Sequence, residues 1–145
     1  MNDAPPLLRD LVLLLARLAV GGIMLVEHGW GKLDKLLGGG SIRFADPLGI
    51  GEKPSLILAA GAETLCAAML ILGLFTRLNA IPLAFTMIVA GFVVHASDPL
   101  EKKELSLIYL AATLLIFLTG PGRISLQTLI AGKLPRKGFL AFLLG

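Results

Sequence analysis

The chain has 145 residues, 56% of them hydrophobic, with mean hydropathy +0.86, a formal net charge of +3 and one cysteine. That length suits one domain, 1–145, and the composition is too apolar for a water-solvated surface. The basic residues are scattered without interleaved aromatics, which excludes a nucleic-acid footprint, and the lone Cys66 excludes an intrachain disulfide and a cysteine metal site.

The economical reading is all-α: one bundle of four transmembrane helices, with spans at about 7–30, 54–75, 78–95 and 104–120 and an amphipathic tail at 121–145. The N-terminus does not read as a cleaved signal peptide, because Asp3 and Asp10 weaken its positive region and Arg17 interrupts its apolar run.

The first span carries the densest information. Leu11–Val26 is almost wholly apolar except for Arg17. A charge at the bilayer centre costs from about 3 to more than 10 kcal/mol, so Arg17 requires a partner or a polar cavity. Helical spacing puts Arg17, Gly21, Met24, His28 and Gly31 on one face, with Glu27 about a quarter-turn away. Gly21-Gly22 suits close helix packing. Trp30 and Lys32 suit the membrane interface.

Gly31–Lys53 is the longest loop, with GGGS at 38–41 and apolar points at Leu36, Leu37 and Phe44 that could dip toward the bilayer or cap the bundle. GGGS is no phosphate loop, since no GK[ST] follows it. Pro54 suits the first turn of the second span, which holds Glu63 deep inside and then Cys66, read as a small buried hydrophobe. The turn Gly73–Arg77 leads into a third span containing Pro82 and ending at His95. Arg77 suits lipid phosphates or the C-terminal dipole of the second span. Glu101–Glu104 reads as a charged loop before the fourth span, and GPGR stops that span. In the tail, FLAFLLG is too short to cross and suits the interface or the bundle surface, while Lys133, Arg136 and Lys137 suit anionic headgroups.

Two constellations follow from depth along the spans. Arg17 and Glu63 lie about 10 Å and about 18 Å from the terminal side at 1.5 Å per residue, so the expectation is a buried pair between spans one and two, either structural or functional. His28, His95 and Glu104, with Glu27 as a fourth member, all fall near the opposite side. Such a set can relay protons, hydrogen-bond a carbonyl ligand, hold a metal, or simply be solvated at the interface. No HxxxH or ExxH spacing sharpens the metal alternative, and neither a metal set nor a catalytic residue is assigned.

The segments RLAVGGIMLVEHGWGKL (Arg17–Leu33), GAETLCAAMLILGLFTRLNA (Gly61–Ala80), FVVHA (Phe92–Ala96), KELSLIYLA (Lys103–Ala111) and GPGRISL (Gly120–Leu126), in this order, resemble the DoxX family of small four-span membrane proteins. The resemblance implies a four-helix membrane bundle. It also implies a redox context: some relatives resemble subunits of a quinone-linked oxidoreductase acting on thiosulfate. Others resemble membrane partners of thiol-redox and superoxide-detoxifying enzymes.

The resulting expectation is a membrane subunit of a redox system. It would bind a quinone or similar lipophilic ligand near His28, His95 and Glu104, with Arg17–Glu63 at the base. No flavin, haem or iron–sulfur signature is present, so a soluble redox partner would bring the electron carrier. One alternative is a non-catalytic anchor or scaffold for a soluble redox or detoxification enzyme. Another is a small-solute carrier, which with four spans would need a homodimer. Localisation is expected in the cell membrane as a multi-pass protein. Basic residues divide evenly between the sides, and the denser C-terminal cluster favours cytoplasmic termini.

Overall fold

The computed structural model describes residues 5–130 and 138–144, and every regular element among them is helical. Lys133, Arg136 and Lys137, expected at headgroups, lie outside the described residues. Helix α1 spans Pro6–Leu37, α2 Glu52–Leu72 and α3 Thr76–Val94, and these three are long and apolar enough to cross a membrane. Helix α4, Leu100–Thr119, is of similar length, and Glu101, Lys102, Lys103 and Glu104, expected in a loop, form its first turns instead, starting after Pro99. Two short helices follow, α5 at Leu126–Ile130 and α6 at Phe139–Leu144.

Helix α1 starts with Pro6 in its first turn, where a missing N–H costs nothing. It was expected to end at Trp30 and instead runs to Leu37. Gly31 alone does not break it, and the polar pattern of Lys32, Asp34 and Lys35 lets its last two turns leave the hydrocarbon. At 32 residues it is about 48 Å long, well beyond a hydrocarbon core of about 30 Å. Helix α2 ends at Gly73, whose φ of +67° lets the chain reverse while the Leu74 N–H reaches the Met69 carbonyl at 2.9 Å. The Asn79 side chain donates back to the Leu74 and Phe75 carbonyls and fixes the start of α3.

Helices α3 and α4 pack antiparallel along their lengths, α1 packs on the C-terminal half of α2, and α1 also touches α4, closing the bundle. The core consists of Met24, Ala67, Leu70, Ala80, Leu83, Met87, Tyr109 and Ile116. Lipid offers no hydrophobic drive between helices, so close backbone approach matters more. A β-carbon on Gly21 would lie 2.9 Å from the Ala67 carbonyl, and one on Gly29 would lie 2.3 Å from that of Glu63. Gly22 faces open space, so the close-packing role expected for the pair belongs to Gly21 alone.

Each of the three membrane-length helices contains one π-helical turn: Met24–Gly29 in α1, Ala62–Cys66 in α2 and Ala90–Val94 in α3. A π turn inserts one extra residue and often marks a functional site. In α1 it moves the buried face forward by one position. Arg17, Gly21 and Met24 are buried as the spacing requires, but beyond them Gly29 is buried rather than His28, and Gly31 is exposed.

Candidate functional site

The three π turns border a cavity of about 490 Å³ at the end of the bundle away from the termini. Its wall is mainly apolar, with Leu58, Ala59, Pro82, Phe85, Val89 and Leu105 among its residues. His28, Lys32, Glu63, His95, Lys102 and Tyr109 supply most of its polar groups. Leu58 and Phe85 line the cavity, are 60% and 52% exposed, and lie on helices long and apolar enough to cross a membrane.

The loop between α1 and α2 covers the cavity with Phe44, Ala45, Pro47 and Leu48. One anchor is the Asp46 carboxylate, which accepts from the Gly51 N–H at 2.8 Å, the Ser55 hydroxyl at 2.8 Å and the Ile50 N–H at 3.0 Å. These bonds, led by that from Gly51, hold the Asp46 carboxyl below its ordinary range. The other anchor is Lys35, which donates to the Arg43 carbonyl at 3.1 Å. Of the apolar points expected to dip toward the bilayer or cap the bundle, Phe44 lines the cavity, while Leu36 is half-buried and Leu37 exposed at the end of α1.

Deep in the cavity, Lys32 donates to the buried Glu63 carboxylate and, at 3.2 Å, to the His28 carbonyl. Three local features produce this meeting. Gly29 lets α1 touch the backbone of α2 at Glu63, the π turn of α1 rotates Lys32 inward, and the lysine stem runs back along its own helix. The His28 ring stands edge-on to Tyr109, with centroids 5.9 Å apart and planes at 81°. At the rim, His95 Nδ1 lies 2.7 Å from Asp98, which is also 3.9 Å from Lys102. His95 first, with Lys102 behind it, draws the Asp98 carboxyl below its ordinary range.

The structure does not bring Arg17 and Glu63 together. Both are buried, at 1% and 3% exposure, but they face opposite ends of the bundle. Arg17 leans toward the terminal face and donates to the carbonyls of Leu70, Ile71 and Ile124. It thus caps the C-terminal end of α2, where the helix dipole favours a cation, and no carboxylate is needed. Glu63 is instead reached by Lys32, which the sequence placed at the interface.

Of the four residues grouped at the opposite side, His28 and His95 line the cavity, whereas Glu27 and Glu104 are exposed and do not. Glu104 points outward because Ser106 and Tyr109 take the inward face of α4. Ser55, Lys32 and Tyr109 were missed as cavity residues. Tyr109 was legible as the one tyrosine in an apolar span; Lys32 was hidden by the π turn.

The GPGRISL segment forms the floor at the terminal face. Asp10, buried at 4%, accepts the Arg123 N–H at 3.1 Å, Arg17 reaches Ile124, and the Gln127 N–H bonds Gly73 at 3.2 Å. Arg77 caps α4 rather than α2, donating to the Phe117 carbonyl at 3.1 Å and to Phe142 of α6, whose ring it also covers at 4.4 Å.

A family model described as DoxX matches residues 12–96. An uncharacterized protein of Haemophilus influenzae is 34% identical over 90 residues, covering 59% of this chain and 60% of the relative. The chain thus spans about 60% of the length of the curated relative it matches. No solved structure matches the chain.

Proposed function

The chain belongs to the DoxX family of small membrane proteins, and on that premise we propose that it is a membrane subunit of a redox system whose cavity receives a quinone or similar lipophilic ligand. The observation that carries the proposal is the cavity itself. It is mainly apolar, of ligand size, walled in part by exposed residues of membrane-length helices, and furnished with His28, Lys32, Glu63 and Tyr109.

The donor set fits a carbonyl-bearing head. The Lys32 ammonium, the His28 ring and the Tyr109 hydroxyl can each donate a hydrogen bond, and Phe85, Leu58 and Val89 can hold an apolar ring or chain. A bound quinone would supply two-electron, two-proton acceptor chemistry. The residues of the chain orient it, keep water out beneath the Phe44–Leu48 loop and offer protons from Lys32, held by Glu63 and the His28 carbonyl, and from His28 and Tyr109, whose rings pack edge-on. A soluble partner enzyme supplies the electrons. The protein acts in the cell membrane, with its termini on the cytoplasmic side.

The test is native mass spectrometry of the full chain released from mild detergent, with identification of co-purifying lipids. The expected result is a quinone that is lost in His28→Ala and in Glu63→Ala. Ordinary phospholipid alone, unchanged in both variants, would overturn the reading.

A further inference from the structure

We infer that the Lys32–Glu63 pair is a specificity element, and that it tunes the cavity to a neutral-headed, single-chain amphiphile drawn from the bilayer. This rests on the reading of the cavity as a lipophilic-ligand site and adds the class of ligand and the residues that select it.

Two observations set the class. The first is access. We place the entry past Leu58 and Phe85, exposed cavity residues on membrane-length helices, because Phe44, Ala45, Pro47 and Leu48 of the connecting loop line the cavity elsewhere. A ligand on that path is dissolved in lipid. A volume of about 490 Å³ suits one drug-sized body and is too small for a two-chain phospholipid.

The second is charge. Lys32 is countered by Glu63, and Lys102 stands 3.9 Å from Asp98, which also meets His95 Nδ1 at 2.7 Å. Among the described residues lining the cavity, each lysine and glutamate lies within 4 Å of an opposite charge. A ligand carboxylate or ammonium would enter an apolar chamber without a free partner, and an unpaired buried charge is strongly disfavoured. A hydroxyl or carbonyl head meets no such penalty and can take a hydrogen bond from Lys32, whose ammonium has a third N–H beyond its bonds to Glu63 and the His28 carbonyl. The pair sits at the deep end, with Glu63 4% and Lys32 23% exposed in their side chains, so water does little to screen it.

Removing one partner should then reverse the preference rather than merely weaken it. Glu63→Gln frees the Lys32 cation and makes room for an anion. Lys32→Gln frees the Glu63 anion and makes room for a cation. The double variant has no net charge and returns to a neutral head.

The experiment is competitive binding to the full chain in mild detergent at mildly alkaline pH. The probes are hexadecanol, palmitate and hexadecylamine at equal concentration, read by native mass spectrometry. The wild type is expected to favour hexadecanol by about tenfold or more over both charged probes. Palmitate should gain about tenfold on hexadecanol in E63Q, hexadecylamine should gain similarly in K32Q, and K32Q/E63Q should rank the probes as the wild type does.

If no probe binds any form, the cavity reading itself fails. If probes bind but the wild type takes palmitate or hexadecylamine as well as hexadecanol, the cavity reading stands and the selectivity inference falls. Folded single variants with the wild-type ranking would also overturn it. Should the single variants not fold, the rankings of the wild type and the double variant decide.

Discussion

Gly29 rests against the backbone of Glu63, so close that a β-carbon on Gly29 would stand 2.3 Å from the Glu63 carbonyl oxygen. Two π turns meet at this contact, and it delivers Lys32 to Glu63. Gly29→Ala is therefore expected to part α1 from α2 and break the ion pair. Overpacking of this kind costs about 1–3 kcal/mol. Gly22→Ala, which meets nothing within 4 Å, is the control and should be neutral or slightly stabilising. Thermal unfolding of both variants in detergent checks this, and equal melting of the two would contradict the packing account.

Arg17 stabilises the opposite end by a different means. Its guanidinium joins the last carbonyls of α2 to the chain beyond α4 through Leu70, Ile71 and Ile124. Hydrogen bonds to a charged group contribute about 1.5–3 kcal/mol each, and a lysine cannot span three acceptors in a fork. Arg17→Lys is expected to lose part of this stability and Arg17→Met more. In both, protease sensitivity near residues 120–126 should rise while the cavity keeps its ligand. Loss of the ligand in Arg17→Lys alone would tie this end to the site after all.

The helical class and its apolar spans were legible because composition and 3.6-residue periodicity are local properties. So was the burial of Arg17 and Glu63, since both interrupt apolar runs. Their partners were not legible. A depth calculation along straight helices brings the two within reach, but side chains that lean in opposite directions, Arg17 outward and Lys32 inward, decide the pairing instead. The π turns are the second cause. Each adds one residue to the turn, so the face computed through His28 and Gly31 is displaced to Gly29 and Lys32. His28 and His95 end their spans at one depth, and both line the cavity. Glu27 and Glu104 share that depth but are exposed, because direction is poorly fixed by a spacing argument across a π turn or a helix start.

Arg77 explains how the short apolar helix α6, Phe139–Leu144, settles. It joins the Phe117 carbonyl at the end of α4 to Phe142 of α6 by hydrogen bonds and a cation–π contact, and Phe117 and Phe142 stand edge to face. Arg77→Ala is expected to cost about 1–2 kcal/mol. The loss should be local: faster amide exchange across 139–144, with little change in the middle of α2. Uniformly faster exchange would instead make Arg77 a support of the whole bundle.

The cover over the cavity should respond to acid at a pH set by Asp46. Its carboxylate accepts from Gly51, Ser55 and Ile50, and these bonds favour the ionised form, so the folded-state value lies below the ordinary 3.8. For a carboxyl lowered on folding, the stabilisation is complete above the unfolded value and is lost as pH falls through the folded one. A single tryptophan at the cover, Phe44→Trp with Trp30→Phe, reports its position by acrylamide quenching. Quenching is expected to stay flat from neutral pH down to about 3.8 and to rise only below it. Asp46→Ala should raise it at neutral pH, with no further acid step. A step in the histidine range would shift control of the cover to His28 or His95, whose rings line the same cavity.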